Sequence, residues 1–337
     1  MTSVRVIFYM VLAVIVLGLL SGCDDEEKTT EPEVVIQYGY QVTPDSLSAD
    51  KDLKAVFFVD SLHGWAVGIE GTIIHTHDAG AIWTAQTSGT SDDLYSVSFT
   101  DTLNGYAAGS FGVLASTTDG GAIWAVDTIT AGESLRDVYF SGRSHGWAVG
   151  QDVMLRTTDT GHTWTAAASW PITTVYTVEF PDQSHGWASG IGGAVIGSSD
   201  GGANWTVIDS SNQNPLLDID FAGSQTGGAV GVGGKIMRTG DGGTTWVSQD
   251  SKSNEVLRGI AFFDNQFGLV VGDNGTLLTT EDGGDAWEAR TTGQAAGFFG
   301  VCFAKDGLAF AVGDGGRILK IRRTQSSSAV LPSAILN

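Results

Sequence analysis

Apolar positions along residues 53–324 fall in short runs that return with one period. Each unit opens with a run apolar at its first, fourth and sixth positions, as in Leu94/Val97/Phe99, Leu135/Val138/Phe140 and Val175/Val178/Phe180. A Gly-Trp-Ala-Val-Gly-like segment follows, at residues 64–68, 105–109, 146–150, 186–190, 227–231 and 268–272. A third run leads into Thr/Ser-x-Asp-x-Gly-x-x-Trp. The box carboxylates are Asp78, Asp119, Asp159, Asp200, Asp241 and Asp282. The box tryptophans are Trp83, Trp124, Trp164, Trp205, Trp246 and Trp287, in steps of 40 or 41 residues. No sustained 3.6-residue period runs through the body of the chain, so helices are not expected there. Four short strands per unit of this length describe a propeller blade. A β-solenoid is the competing arrangement, but its coils are usually shorter.

A seventh unit lacks its end. Phe298/Val301/Phe303 opens it, residues 310–313 and 317–321 supply two further strands, and no box follows. The missing strand has a candidate at the other end of the chain, residues 34–42. The expected fold is therefore all-β, a seven-bladed propeller over residues 34–324 whose ring the N-terminal strand closes by completing the last blade. Closure of that kind removes an open sheet edge.

Composition agrees with this pattern: 47 Gly, 6 Pro and 10 Trp suit many strands joined by tight turns. The N-terminus is a separate object. Arg5 precedes an apolar run over residues 6–17, and Leu20-Ser21-Gly22-Cys23 comes directly before Asp24-Asp25-Glu26-Glu27. The run is short for a membrane span, which needs about 20 apolar residues. It reads as a secretory signal over residues 1–22, and its ending resembles the bacterial lipoprotein cleavage box. Cys23 would then be acylated and followed by an acidic linker over residues 23–33. The expected location is extracytoplasmic and membrane-anchored, in a periplasm, a thylakoid lumen or at a cell surface. The Ser-rich residues 325–337 read as a disordered tail.

The chain carries 17 Lys+Arg against 38 Asp+Glu, a net −21. Loss of Arg5 with the signal leaves 16 against 38, or −22. That field repels phosphate backbones, so nucleic acid is not an expected partner. With Cys23 acylated, Cys302 has no partner for a disulfide. Cys302 lies on an inner strand, where a small apolar filler is the expected role.

The box sets carboxylates on six loops, which invites a catalytic reading. Equivalent turns on separate blades do not converge on one substrate. A short Asp accepts the backbone N–H groups of its own turn, and Trp fills space between sheets. The box residues are therefore read as building the fold, with no catalytic residue assigned. His63, His145 and His185 share one phase before Gly-Trp and sit on different blades. Ligands must lie about 2 Å from one metal, so no metal site is expected. No cofactor is implied: the Gly-rich turns at residues 272–275 and 313–316 precede no helix that would hold a phosphate.

Basic residues keep phase as well. Arg156, Arg238 and Lys320 share a third-strand position, and Lys54, Arg136 and Arg258 share the second position of the first strand. Cations on alternate blades would form a patch able to dock an acidic partner.

Taken whole, the repeat (Leu-x-x-Val-x-Phe, Gly-Trp-Ala-Val-Gly and the Asp box) resembles the photosystem II assembly and stability factor family over residues 34–324. The resemblance implies a non-catalytic, monomeric scaffold that binds protein partners of a membrane complex through an arginine-rich patch. It carries Arg136, Arg156, Arg238 and Arg258 toward that patch. This chain is poorer in arginine and more acidic than the family pattern. Two alternatives remain open. One is a sialidase- or glucanase-like glycosidase, with Asp137 and Asp218 as the axial carboxylates. The other is a glycan-binding surface protein using Trp170 or Phe111. The sialidase start Phe-Arg-Ile-Pro is absent, and Tyr95, Tyr106, Tyr139 and Tyr176 read as packing residues.

Overall fold

The computed structural model describes residues 34–46 and 51–329, with side chains described for 51–324. The signal, Cys23 and the acidic linker lie outside the described residues. The chain divides into two compact units, Tyr38–Thr324 and a second made of Met1–Gln37 with Gln325–Asn337.

The unit Tyr38–Thr324 is a seven-bladed propeller. Among the described residues there are seven sheets of four strands, and the register is antiparallel wherever it is described. The first strands are Leu53–Phe58, Leu94–Phe99, Leu135–Ser141, Val175–Glu179, Leu216–Ala222, Leu257–Phe262 and Phe298–Phe303. Each packs against the first strand of the next blade, and Phe298–Phe303 packs against Leu53–Phe58, so the ring of inner strands is continuous. Blades are numbered 1 to 7 in this order. In the seventh sheet the strand order runs from Val34–Ser46 through Arg317–Ala329 and Leu308–Gly313 to Phe298–Phe303. That order is compatible with closure by the N-terminal strand, whose register lies outside the described residues. The last strand runs on to Ala329, past residue 324, where the sequence pattern of the propeller ends.

The spacing of apolar residues on the inner strands has a structural cause. In an unbroken strand, residues of one face are two apart. Every inner strand carries an irregularity between its first and third residues, for example Leu53/Ala55 and Leu135/Asp137. A bulge shifts the phase by one, so the first, fourth and sixth residues all face the neighbouring sheets. Leu53, Val56 and Phe58 are buried accordingly. The second strand closes tightly on this bulge. A Cβ at Gly68, Gly109 or Gly150 would lie 2.0 Å from the carbonyl oxygen of Asp52, Asp93 or Ser134, a clash that only glycine avoids.

Blades are joined by an aromatic sandwich. In blade 4, Phe180 stacks on Trp147 of blade 3 at 3.5 Å and meets its own box Trp205 edge-on at 5.6 Å and 88°. Phe99 lies likewise between Trp65 and Trp124. Stacked and edge-to-face pairs contribute about 0.5–1.5 kcal/mol beyond the area they bury. Trp170 packs against the cluster containing Trp147 and Trp205. Packing therefore accounts for Trp170, contrary to its reading as a surface aromatic.

Candidate functional site

Strand direction sorts the loops onto two faces. The hairpins between first and second strands share a face with the box loops, and backbone bonds join them: Ala79 N–H to Leu62 O at 3.0 Å and Gly201 N–H to Ser184 O at 2.9 Å. The turns between second and third strands share the opposite face with the blade-to-blade connections, as Gly71 N–H to Asp92 O at 2.9 Å shows. These are the box face and the mouth face.

The box is a closed hydrogen-bond circuit. Thr76 Oγ1 donates to Asp78 Oδ1 (2.8 Å) and accepts from Gly80 N–H (2.9 Å), while Asp78 Oδ1 also accepts from Ile82 N–H (2.9 Å). The circuit recurs around Asp119, Asp159, Asp200, Asp241 and Asp282. Hydrogen bonds from Thr163 and its backbone hold Asp159 down to about 2, and those from Asn204 do the same for Asp200. Carboxylates so engaged are turn-builders. The phased histidines are separate as well. His63 Nδ1 lies 2.9 Å from Asp60, His145 Nδ1 2.9 Å from Ser144, and His185 Nδ1 3.0 Å from Asp182. Among the described residues, no cluster of three His, Cys, Asp or Glu could hold a metal.

The propeller axis carries the chemistry that the repeat leaves over. Because of the bulge, inner-strand residues two, three and five turn toward the axis. The second residues ring the mouth: Lys54, Tyr95, Arg136, Tyr176, Leu217, Arg258 and Phe299 line a cavity of ≈ 230 Å³. Lys54 and Arg258 both lie over Phe299, at 4.0 and 5.2 Å, and Arg136 lies over Tyr95 at 4.7 Å. Cation–π contacts of this kind hold a cation in place without neutralising it. Lys54 is paired with Asp52 at 3.0 Å, and Arg258 forks onto Asp273 at 2.5 and 3.1 Å. Asp273 follows the closing glycine of its second strand, and Gln151 occupies that position in blade 3. Among the described residues no carboxylate pairs with Arg136, and its Nε is enclosed without a hydrogen-bond partner. Arg136 is thus a mouth cation without an ion-pair partner, in a cavity that Asp137 and Asp218 also line.

The four arginines singled out from the sequence do not meet. Arg136 and Arg258 share the mouth. Arg156 and Arg238 are in third strands, opposite Trp147 and Gly228. Arg238 donates from Nε to Gly283 O (2.7 Å) and pairs with Asp285 (3.2 Å), both in the next blade's box loop. Repeat phase marks equivalent positions but not the face they occupy, which is why the sequence pattern grouped them.

Below the mouth a cavity of ≈ 290 Å³ holds four acids, Asp137, Glu179, Asp218 and Asp220. They follow one rule. A third residue bonds the backbone N–H of the fourth residue in the next blade: Ser96 Oγ accepts from Val138 at 3.2 Å, Asp137 from Val178 at 2.9 Å, and Asp218 from Ile260 at 2.9 Å. A fifth residue bonds the sixth of the next blade, as Asp220 accepts from Phe262 at 2.6 Å. Inner strands of adjacent blades share no ladder, so these side chains satisfy N–H groups that would otherwise face the axis unpaired. Protein surrounds the acids while the channel keeps Asp137, Asp218 and Asp220 partly exposed. Enclosure raises all four above ordinary carboxylates, with mutual repulsion adding to the shift of Glu179 and Asp218. Glu179 is buried, and its Oε2 has no partner.

A ring of Asp-box blades with cations gathered at one axial mouth defines an Asp-box β-propeller. The chain belongs to the family described as Photosynthesis system II assembly factor YCF48, whose model matches residues 41–125, 83–169 and 248–297, more than half of the chain. Among solved structures it is similar to YCF48 bound to D1 peptide, at 22% identity and TM-score 0.71, over 83% of this chain and 96% of that one. YCF48 from Cyanidioschyzon merolae is similar at 20% identity and TM-score 0.70, over 83% and 98% of the two chains. A GH74 xyloglucanase from Xanthomonas campestris shares the fold at 13% identity and TM-score 0.68, over 83% of this chain but 53% of the enzyme. No curated protein matches the chain significantly.

Proposed function

We propose that the protein is a non-catalytic scaffold that binds an acidic or carboxylate-bearing protein segment across the channel mouth, in the manner of a membrane-complex assembly factor. The observation that carries this reading is Arg136, a cation held over Tyr95 with no carboxylate paired to it among the described residues. Tyr176, Leu217 and Phe299 offer apolar and aromatic contact beside it. Family membership and the D1-peptide complex of a similar propeller support a protein segment as ligand. Asp137 and Asp218, the carboxylates a glycosidase would need, are engaged in joining blades. Turnover of sialosides or xyloglucan by the purified chain would contradict a non-catalytic role.

The same reading makes the chain an extracytoplasmic lipoprotein carried on the membrane by Cys23, acting as a single propeller. Metabolic labelling with an alkyne fatty acid tests the anchor: the wild type is expected to label and Cys23→Ala not to. For the mouth, partners are captured from detergent-solubilised membranes of the producing cell. Arg136→Glu/Arg258→Glu should reduce the captured partner at least tenfold, as expected for reversing charges at an interface centre. Arg156→Glu/Arg238→Glu should retain it. Full capture by the mouth variant would overturn the assignment.

A further inference from the structure

Blades 1 and 2 depart from their neighbours in the same way. In blades 3, 4 and 5 the residue before the box Trp adds a side-chain bond to the second carboxylate oxygen: Thr163 to Asp159 (2.7 Å), Asn204 to Asp200 (2.9 Å) and Thr245 to Asp241 (2.7 Å), while blade 6 has the small Ala286 there. Blades 1 and 2 have Ile82 and Ile123 there, 65% and 72% exposed. The hairpins beside those boxes carry Leu62 and Leu103, 49% and 54% exposed. Blades 3 to 6 have Ser144, Ser184, Gln225 and Gln266 at that hairpin position. Hairpin and box loop are bonded to each other in both blades, through Ala79 N–H to Leu62 O and Gly120 N–H to Leu103 O. Trp65 of blade 1 reaches Gly120 O of blade 2 at 3.3 Å. Four exposed aliphatic side chains thus lie on the box face of two adjacent blades. The fold gains nothing from them, because each isoleucine forgoes a box hydrogen bond and exposes apolar surface to water. Clustered exposure of that kind marks a contact surface.

Chain direction says what covers it. In every blade with a described outer strand, that strand hands over to the next inner strand at the mouth face. Within the propeller unit, residues 38–46, which precede Leu53, therefore start at the box face. Cys23 precedes that end in the sequence. We propose that Leu62, Ile82, Leu103 and Ile123 are a membrane-contact patch that rests in the interfacial layer of the bilayer carrying the chain. The inference builds on the lipoprotein reading. A net charge of −21 disfavours anionic headgroups, so the surface it fits is zwitterionic and is entered by apolar insertion. With this face down, the mouth points away from the bilayer toward a partner.

The test uses the mature chain with Cys23→Ser, held on phosphatidylcholine vesicles by an N-terminal histidine tag and a nickel-chelating lipid. That attachment separates failure of the patch from failure of acylation. An environment-sensitive fluorophore is placed by Ile123→Cys on the box face or by Phe111→Cys, whose side chain is 64% exposed at a mouth-face turn. Brominated lipid is expected to quench the label at 123 several-fold more than the label at 111. Adding Leu62→Ser/Ile82→Asn, polar residues of the kinds other blades carry, should reduce the quenching at 123. Equal quenching at both labels, none at 123, or no effect of the polar pair would overturn the proposal. Melting curves like the wild type's confirm that each labelled chain is folded.

Discussion

At the residue scale, two sets of carboxylates pull stability in opposite directions with pH. Box carboxylates such as Asp159 and Asp200 titrate below their unfolded value, so their contribution is complete above about pH 4 and disappears as pH falls toward 2. The channel acids Glu179 and Asp220 titrate above theirs. The native state then holds protons that the unfolded chain has released, so their contribution is complete below about pH 4 and is lost as pH rises, toward about 7 for Asp220. Thermal stability should therefore fall between pH 5 and 8. Glu179→Gln/Asp220→Asn, which keeps an acceptor for Phe262 N–H, should flatten that slope in melting curves. The side chains at the blade junctions act through packing instead. Phe180 is fully buried between Trp147 and Trp205, and Phe180→Ala should cost about 3–5 kcal/mol in denaturant unfolding. Asp159→Ala should lower the melting temperature while leaving partner capture at the mouth unchanged.

At the element scale, the blade was legible in the sequence because the same chemistry recurs, seven times for the inner strand and six times for the box. The first, fourth and sixth apolar positions, the glycine that closes the second strand and the box each answer one local demand. The axial residues were not legible in that way. Positions two, three and five of the inner strand differ from blade to blade: the third is Ser96 in blade 2, Asp137 in blade 3 and Gly259 in blade 6. Shared phase therefore picked out only Lys54, Arg136 and Arg258 at position two, Asp137 and Asp218 were named as axial carboxylates, and Glu179, Asp220 and Phe299 went unremarked. The bulge was the available signal, since an apolar step of three on a strand implies a break in phase that turns the residues between toward the axis. Tyr95 and Tyr176 read as packing residues for the same reason and instead line the mouth. The box itself makes a prediction at this scale. Ile123→Thr gives the loop the hydroxyl that Thr163 and Thr245 use, so it should raise the melting temperature slightly, by about 1–2 °C.

At the scale of the whole molecule, the propeller separates its tasks by face. Box loops and their hairpins hold one end of blades 1 to 6. The other end gathers Lys54, Arg136 and Arg258 around the axis of a strongly acidic chain. Arg238 belongs to the junction between blades and its charge is met locally by Asp285, while Arg156 lies on a third strand away from the mouth. A cationic mouth on an acidic disc orients an approaching acidic segment, so capture should weaken with salt between 50 mM and 500 mM. The most direct test is a photo-cross-linker placed at Phe299 of the mouth and, separately, at Thr245 of the box face, in cells that make the partner. The partner is predicted to cross-link from position 299, to do so far less once Arg136→Glu is added, and not to cross-link from position 245. Cross-linking from 245 with none from 299 would contradict the assignment of the mouth as the binding surface.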